Sequence, residues 1–183
     1  FGLQFAPERS QAYTIFSTSQ WLVCVDAPDD RATLDLEVAL PADLRAAGSG
    51  RLVGTERRPD GITVHRWHQD RAMPTYTFGF AAGKFDEVTT RERRIGYRYL
   101  GAAFASTREL ERVFADTPDM VRFFGERAGV PYPHLSYTQV LVANTAGQEL
   151  AGMALLSDAY GRNLRDNPES INLSAHEVAH QWW

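Results

Sequence analysis

Residues 32–40 alternate strictly between apolar and polar positions. Ala32, Leu34, Leu36, Val38 and Leu40 share one face, with Thr33, Asp35 and Glu37 on the other. A period of two predicts a half-buried strand, ended by Pro41. Pro59-Asp60-Gly61 supplies turn chemistry between residues 51–58 and 62–68, which predicts a hairpin. Residues 75–80 and 84–88 read as two more short aromatic strands around Gly83. Several short strands separated by turns predict an antiparallel, sandwich-like unit.

The pattern changes after Thr90. Residues 95–100 form one more strand candidate, and helical signals follow. Ser106 with Glu109 three positions later makes a capping box. Thr117-Pro118 reads as an N-cap followed by proline at the first helical position. Residues 118–127 place Met120, Val121, Phe123 and Phe124 for burial, and Gly129 ends that helix. Pro131-Tyr132-Pro133 is a rigid turn leading into an apolar strand over residues 138–143. The expected fold class is α+β, with a β unit over residues 1–88 and a mixed unit over residues 89–183. No internal repeat or low-complexity tract is visible.

Composition adds few constraints. The 183 residues are 44% hydrophobic and 23% charged, ordinary for a packed chain of one or two domains. A formal charge of −4 gives no basic excess, so no nucleic-acid partner is expected. Arg91, Arg93, Arg94 and Arg98 cluster, but on a strand-like segment they read as a solvated face. The single cysteine, Cys24, excludes an internal disulfide and a cysteine-based zinc cluster, and reads as a small buried hydrophobe. No apolar run reaches membrane-spanning length. Compartment and oligomeric state leave no signal. The chain starts at Phe1 and stops at Trp182-Trp183 inside a predicted helix, so a piece of a longer polypeptide is expected.

The chemistry concentrates in His176-Glu177-Val178-Ala179-His180. Residues four apart share a helix face, so both imidazoles can reach one ion. Imidazole nitrogen suits zinc, and two ligands from one rigid helix lose little ordering entropy. Glu177, beside the first histidine, can act as general base towards water activated at the metal. Leu173, Ala175, Val178, Ala179 and Trp182 support the helix, with Ser170 or Asn172 as its cap. The competing reading is a chance pattern on an ordinary amphipathic helix. A catalytic zinc needs a third protein ligand and an open position. Asp166 and Glu169 lie upstream, but nothing in their spacing favours them. His65 and His68 flank Trp67 on opposite faces of a strand, which argues against a shared metal. His134 follows a proline turn and reads as structural.

His176-Glu177-Val178-Ala179-His180-Gln181-Trp182-Trp183 resembles the zinc helix of the M1 (gluzincin) aminopeptidases, which reads HE-x-x-HQW followed by an aromatic. Gln181 and Trp182 extend the match beyond the bare zinc pattern. Cys24-Val25-Asp26-Ala27-Pro28 resembles the family's C-F-D-E-P segment, departing at Val25 and Ala27. Phe80-Ala81-Ala82-Gly83-Lys84-Phe85 resembles the stretch closing its N-terminal β domain, and Gly129-Val130-Pro131-Tyr132-Pro133 its G-x-P-Y-P turn. The GAMEN substrate motif has its counterpart in Ala146-Gly147-Gln148-Glu149-Leu150, with only the glutamate in place. A second register sets Gly152-Met153 on the motif and leaves Ala154 where the glutamate belongs. Residues 13–17 lack the glutamine that lines the family's first specificity pocket, so side-chain preference does not transfer.

The resemblance implies most of an N-terminal β domain followed by the start of a thermolysin-like catalytic domain. Zinc would be the cofactor, held by His176 and His180, with Glu177 activating water. Glu149 would bind the α-amine of a peptide with a free N-terminus, and Ala146 and Gly147 would offer backbone to an extended substrate. A third ligand and the transition-state tyrosine are expected beyond Trp183, so this chain alone is expected to hold zinc weakly and to be inactive. Two other functions fit the same residues: a non-catalytic scaffold of peptidase-like fold, or a zinc hydrolase acting on internal peptide bonds or on a non-peptide electrophile.

Overall fold

The computed structural model describes residues 2–144 and 147–183. The chain forms two compact units, Phe1–Phe85 and Asp86–Trp183.

The first unit is built from strands β1 (Gly2–Ala6), β2 (Gln11–Ile15), β3 (Arg31–Pro41), β4 (Arg45–Gly48), β5 (Arg51–Arg57), β6 (Ile62–Pro74) and β7 (Phe80–Gly83). They form two antiparallel sheets, ordered β1-β2-β7-β4 and β3-β6-β5. The alternation in β3 is realised: Leu34 and Leu40 are buried, Leu36 and Val38 half-buried, and Thr33, Asp35 and Glu37 exposed. The two sheets meet at Gly48, where a Cβ would stand 2.8 Å from Leu36 Cδ2 and 2.9 Å from the Trp67 ring. Trp67, Leu40 and Ala46 form the core there.

The predicted hairpin is present, closed by Arg58 N–H donating to Ile62 O at 2.8 Å, with Gly61 at φ +81. Its second strand runs on to Pro74. Residues 75–80 do not form the expected strand. Thr75–Thr77 is a 3-10 turn instead, because the Thr77 hydroxyl donates to Pro74 O (2.7 Å) and that of Thr75 to Asp30 (2.7 Å). The strand expected over residues 84–88 is broken as well. Phe85 N–H turns back onto Gly83 O (3.0 Å), and β8 (Asp86–Glu92) opens the second unit. Cys24 is half-buried rather than buried. His65 and His68 take separate partners, Thr55 and Asp35.

The second unit continues with β9 (Ile95–Gly101), α1 (Thr107–Val113), α2 (Thr117–Ala128), β10 (Ser136–Val142), β11 (Gly147–Leu150), β12 (Met153–Ser157), α3 (Asp158–Asp166) and α4 (Asn172–Ala179). Its sheet is mixed, ordered β11-β12-β10-β9-β8, with β10 parallel to both neighbours and antiparallel strands at the edges. β10 and β12 are buried along nearly their whole length, as strands covered on both faces are, although β10 carries the buried polar residues Thr138 and Gln139. α1 packs on α3 and α2 on α4, while α4 also lies against β11 and β12. No helix among the described residues is long and apolar enough to cross a membrane.

Several local expectations need correction. Asp116, not Thr117, is the N-cap of α2, and the Thr117 hydroxyl instead donates to buried Gln139 Oε1 at 2.6 Å. At α1 the capping box is not made: Glu109 accepts from Ala105 N–H (3.2 Å) rather than from Ser106 N–H, and the Ser106 side chain accepts no cap bond. Phe123 is 48% exposed, edge-on to Phe124 with the Arg127 guanidinium over its ring. Arg98 leaves the solvated arginine face for an ion pair with Glu87 at 2.8 Å. Gly129 does end α2, at φ +67.

Candidate functional site

Helix α4 presents the histidines. Val178 is fully buried, with Leu173, Ala175 and Trp182 packed partly against the same core. The expected cap from Ser170 or Asn172 is absent; Ile171 is the N-cap, without a side-chain bond. Tyr160 of α3 does that work. Its phenol oxygen accepts from Ser174 N–H (3.0 Å) and lies 3.1 Å from Ser170 O and 3.0 Å from Ser174 Oγ. At the other end Trp182 Nε1–H donates to Val130 O (2.8 Å), and its ring packs on Tyr132 and Phe124. The motif's tryptophan therefore seats the helix on the turn after α2.

His176 and His180 stand side by side with ring planes at 88° and their Nε2 atoms 3.1 Å apart. Two imidazole nitrogens bound to one tetrahedral zinc lie about 3.3 Å apart, given bonds of about 2.0–2.1 Å. The pair as folded fits a shared ion within a few tenths of an ångström. His180 Nδ1 lies 3.3 Å from Trp183 O; a proton donated there leaves the Nε2 lone pair free for a metal.

Glu177 lies buried beside the pair. It is 3% exposed, and its Oε2 has no hydrogen-bond partner among the described residues. Burial, and after it the Glu149 carboxylate, push its pKa up to about 7. Glu149 belongs to β11, an edge strand, and alternates there onto the same face as Gly147. One ligating atom from each of Glu149, Glu177 and His180 lies within 4.8 Å of the other two. Gly147 faces Glu177 and Leu173 directly. Ala154, which the second register would put in the role of Glu149, is fully buried in β12.

The structure thus gathers His176, His180, Glu177, Glu149 and Gly147 into one site. Ala146 lies outside the described residues. Asp166 is engaged by Arg165 (2.8 Å), and neither it nor Glu169 joins the cluster. Tyr160 was invisible to sequence reasoning, because a tyrosine ten or more residues upstream of a helix carries no capping signature.

Residues 10–77 match the family model of the peptidase M1 N-terminal domain. The chain is 27% identical over 161 residues to leucine aminopeptidase 2 of Aspergillus fumigatus, covering 87% of this chain. It is 24% identical over 163 residues to a leukotriene A-4 hydrolase homolog of Botryotinia fuckeliana, again over 87% of this chain. Among solved structures, the M1 zinc metallopeptidase from Deinococcus radiodurans superposes with a TM-score of 0.77 at 26% identity, over 99% of this chain. A two-domain M1 zinc metallopeptidase bound to L-tryptophan gives 0.78 at 28%. The chain is similar to the M1 metallopeptidases along nearly its whole length. The chain spans about a quarter of the length of the curated relatives it matches (25%), and 41% of the solved chains.

Proposed function

We propose that this chain is the front part of a zinc aminopeptidase of the M1 type, with its second unit the beginning of a thermolysin-like catalytic domain. The observation that supports this most strongly is the pair of Nε2 atoms 3.1 Å apart beside a buried, partnerless carboxylate oxygen of Glu177. His176 and His180 would hold the metal. Zinc, when bound, supplies Lewis-acid activation of water and of the scissile carbonyl.

The chain's own residues do the rest. Glu177 takes the proton from the attacking water at its carboxylate; a pKa of about 7 suits a base that must later return that proton to the leaving amine. Glu149 pairs with the substrate's α-ammonium, and its fixed place on β11 measures off one residue. The outer edge of β11, which starts at Gly147, offers backbone groups to an extended peptide. The substrate class is a peptide with a free N-terminus.

The test is to measure metal content and hydrolysis in the full-length protein, wild type and Glu149→Gln, on a free-amine peptide amide and its N-acetylated counterpart. The aminopeptidase reading expects zinc near one equivalent. It also expects a loss of about a hundredfold or more in kcat/KM for the free amine, with little change for the acetylated substrate. Equal losses on both would favour cleavage of internal bonds, and a metal-free wild type would favour a scaffold.

A further inference from the structure

We propose that Gln181 is a positioning residue, whose side-chain amide clamps the end of α4 to the β11–β12 turn and so fixes Glu149 relative to the histidine pair. β11 and β12 pair through Leu150 and Met153, leaving Ala151-Gly152 as a two-residue turn with Gly152 at φ +74. Gly152 N–H has no ladder partner there. It donates to Gln181 Oε1 at 3.1 Å, while Gln181 Nε2 donates to Leu150 O at 3.2 Å. One primary amide thus meets a donor and an acceptor of the same turn, a two-point contact that fixes orientation as well as distance. From the opposite side, Thr138 N–H of β10 donates to Gly152 O (3.1 Å). The turn is held between sheet and helix.

The place of the clamp gives it consequence. Leu150 follows Glu149 directly, and Gln181 follows His180 directly, so no intervening chain can absorb a shift at either end. β11 is four residues long and, among the described residues, has β12 as its only sheet neighbour, which makes its lateral position sensitive to this contact. Helix α4 keeps a separate anchor, Trp182 on Val130, so losing the amide need not unseat the helix. The role presupposes the aminopeptidase reading of Glu149; the clamp itself does not.

The test uses Gln181→Met, which keeps the length and removes both bonds, and Gln181→Glu, which keeps the acceptor for Gly152 and loses the donor to Leu150. In the 183-residue chain, amide exchange at Gly152 should quicken about tenfold or more in Gln181→Met, while exchange in the centre of β10 stays unchanged. In the full-length protein, zinc content should be unchanged. KM for a free-amine peptide amide should rise about tenfold with a smaller change in kcat, and the N-acetylated substrate should shift less than about twofold. Gln181→Glu should fall between. Unchanged exchange at Gly152, or equal losses on both substrates, overturns the role while leaving the aminopeptidase reading intact. A wild type that ignores the α-amine sinks that reading, and the role with it. If Gln181→Met fails to fold, Gln181→Glu carries the same comparison.

Discussion

Gly147 leaves the space that the Glu177 carboxylate fills. A Cβ at Gly147 would collide with Glu177 Oε1 and stand 3.1 Å both from Glu177 Cδ and from Leu173 Cδ1. β11 and α4, the helix of the histidine pair, therefore touch through a missing side chain. Glu177, being buried, has little room to retreat.

Gly147→Ala should displace the Glu177 carboxylate or push β11 outward. We expect a loss of about 1–3 kcal/mol in stability, read by urea unfolding of the 183-residue chain. In the full-length protein kcat should fall about tenfold or more, because a misplaced base is costly. A fully active Gly147→Ala protein would show that this contact does not position the base.

Replacing Glu177 should make the metal-free chain more stable. Its folded pKa, about 7, lies above the value of 4.5 expected when unfolded. The unfolded chain therefore releases this proton first, and the penalty of folding around the charge grows from pH 4.5 to 7. Glu177→Gln should stabilise by about 1–3 kcal/mol at pH 8 and by nothing below pH 4.5. Melts of both proteins across that range check the sign, and a destabilised Glu177→Gln at pH 8 would contradict it.

Tyr160→Phe removes the phenol that caps α4. Loss of its contacts with Ser170 and Ser174 should cost about 1–2 kcal/mol and loosen the first turn of the helix. Zinc affinity of the chain should drop with it, as seen by chelator competition. Unaltered melting would assign the cap elsewhere.

In the first unit, Gly48→Ala tests the contact between sheets. The Leu36 methyl can swing aside, but the buried Trp67 ring cannot, so we expect about 2–3 kcal/mol of destabilisation. Trp67 fluorescence should shift to the red as the sheets part. A neutral substitution would mean that the two sheets do not close on each other at this point.

What the sequence displayed was whatever rests on local chemistry. β3 was legible from its alternation, the β5–β6 hairpin from Asp60-Gly61, and the end of α2 from Gly129. The side-by-side placing of His176 and His180 was legible because a helix fixes which positions share a face. What stayed hidden depends on partners distant in the chain. β1, β2 and β4 are short, without clear alternation, and exist because neighbouring strands pair with them. Thr117 looked like a cap, but a tertiary bond to Gln139, twenty-two residues away, claims its hydroxyl. Glu149 could be placed only through a degraded motif. Its approach to Glu177 and His180 is made by a sheet edge meeting a helix, which no spacing encodes.

The central claim is that His176 and His180 share one divalent ion, and ring-nitrogen NMR of the 183-residue chain during a zinc titration reads it most directly. Both Nε2 resonances are expected to move together along a single binding curve, reaching saturation only in excess zinc, and His176→Ala to abolish the response of His180. Nε2 resonances that stay in place, or that respond independently at different zinc concentrations, would contradict it.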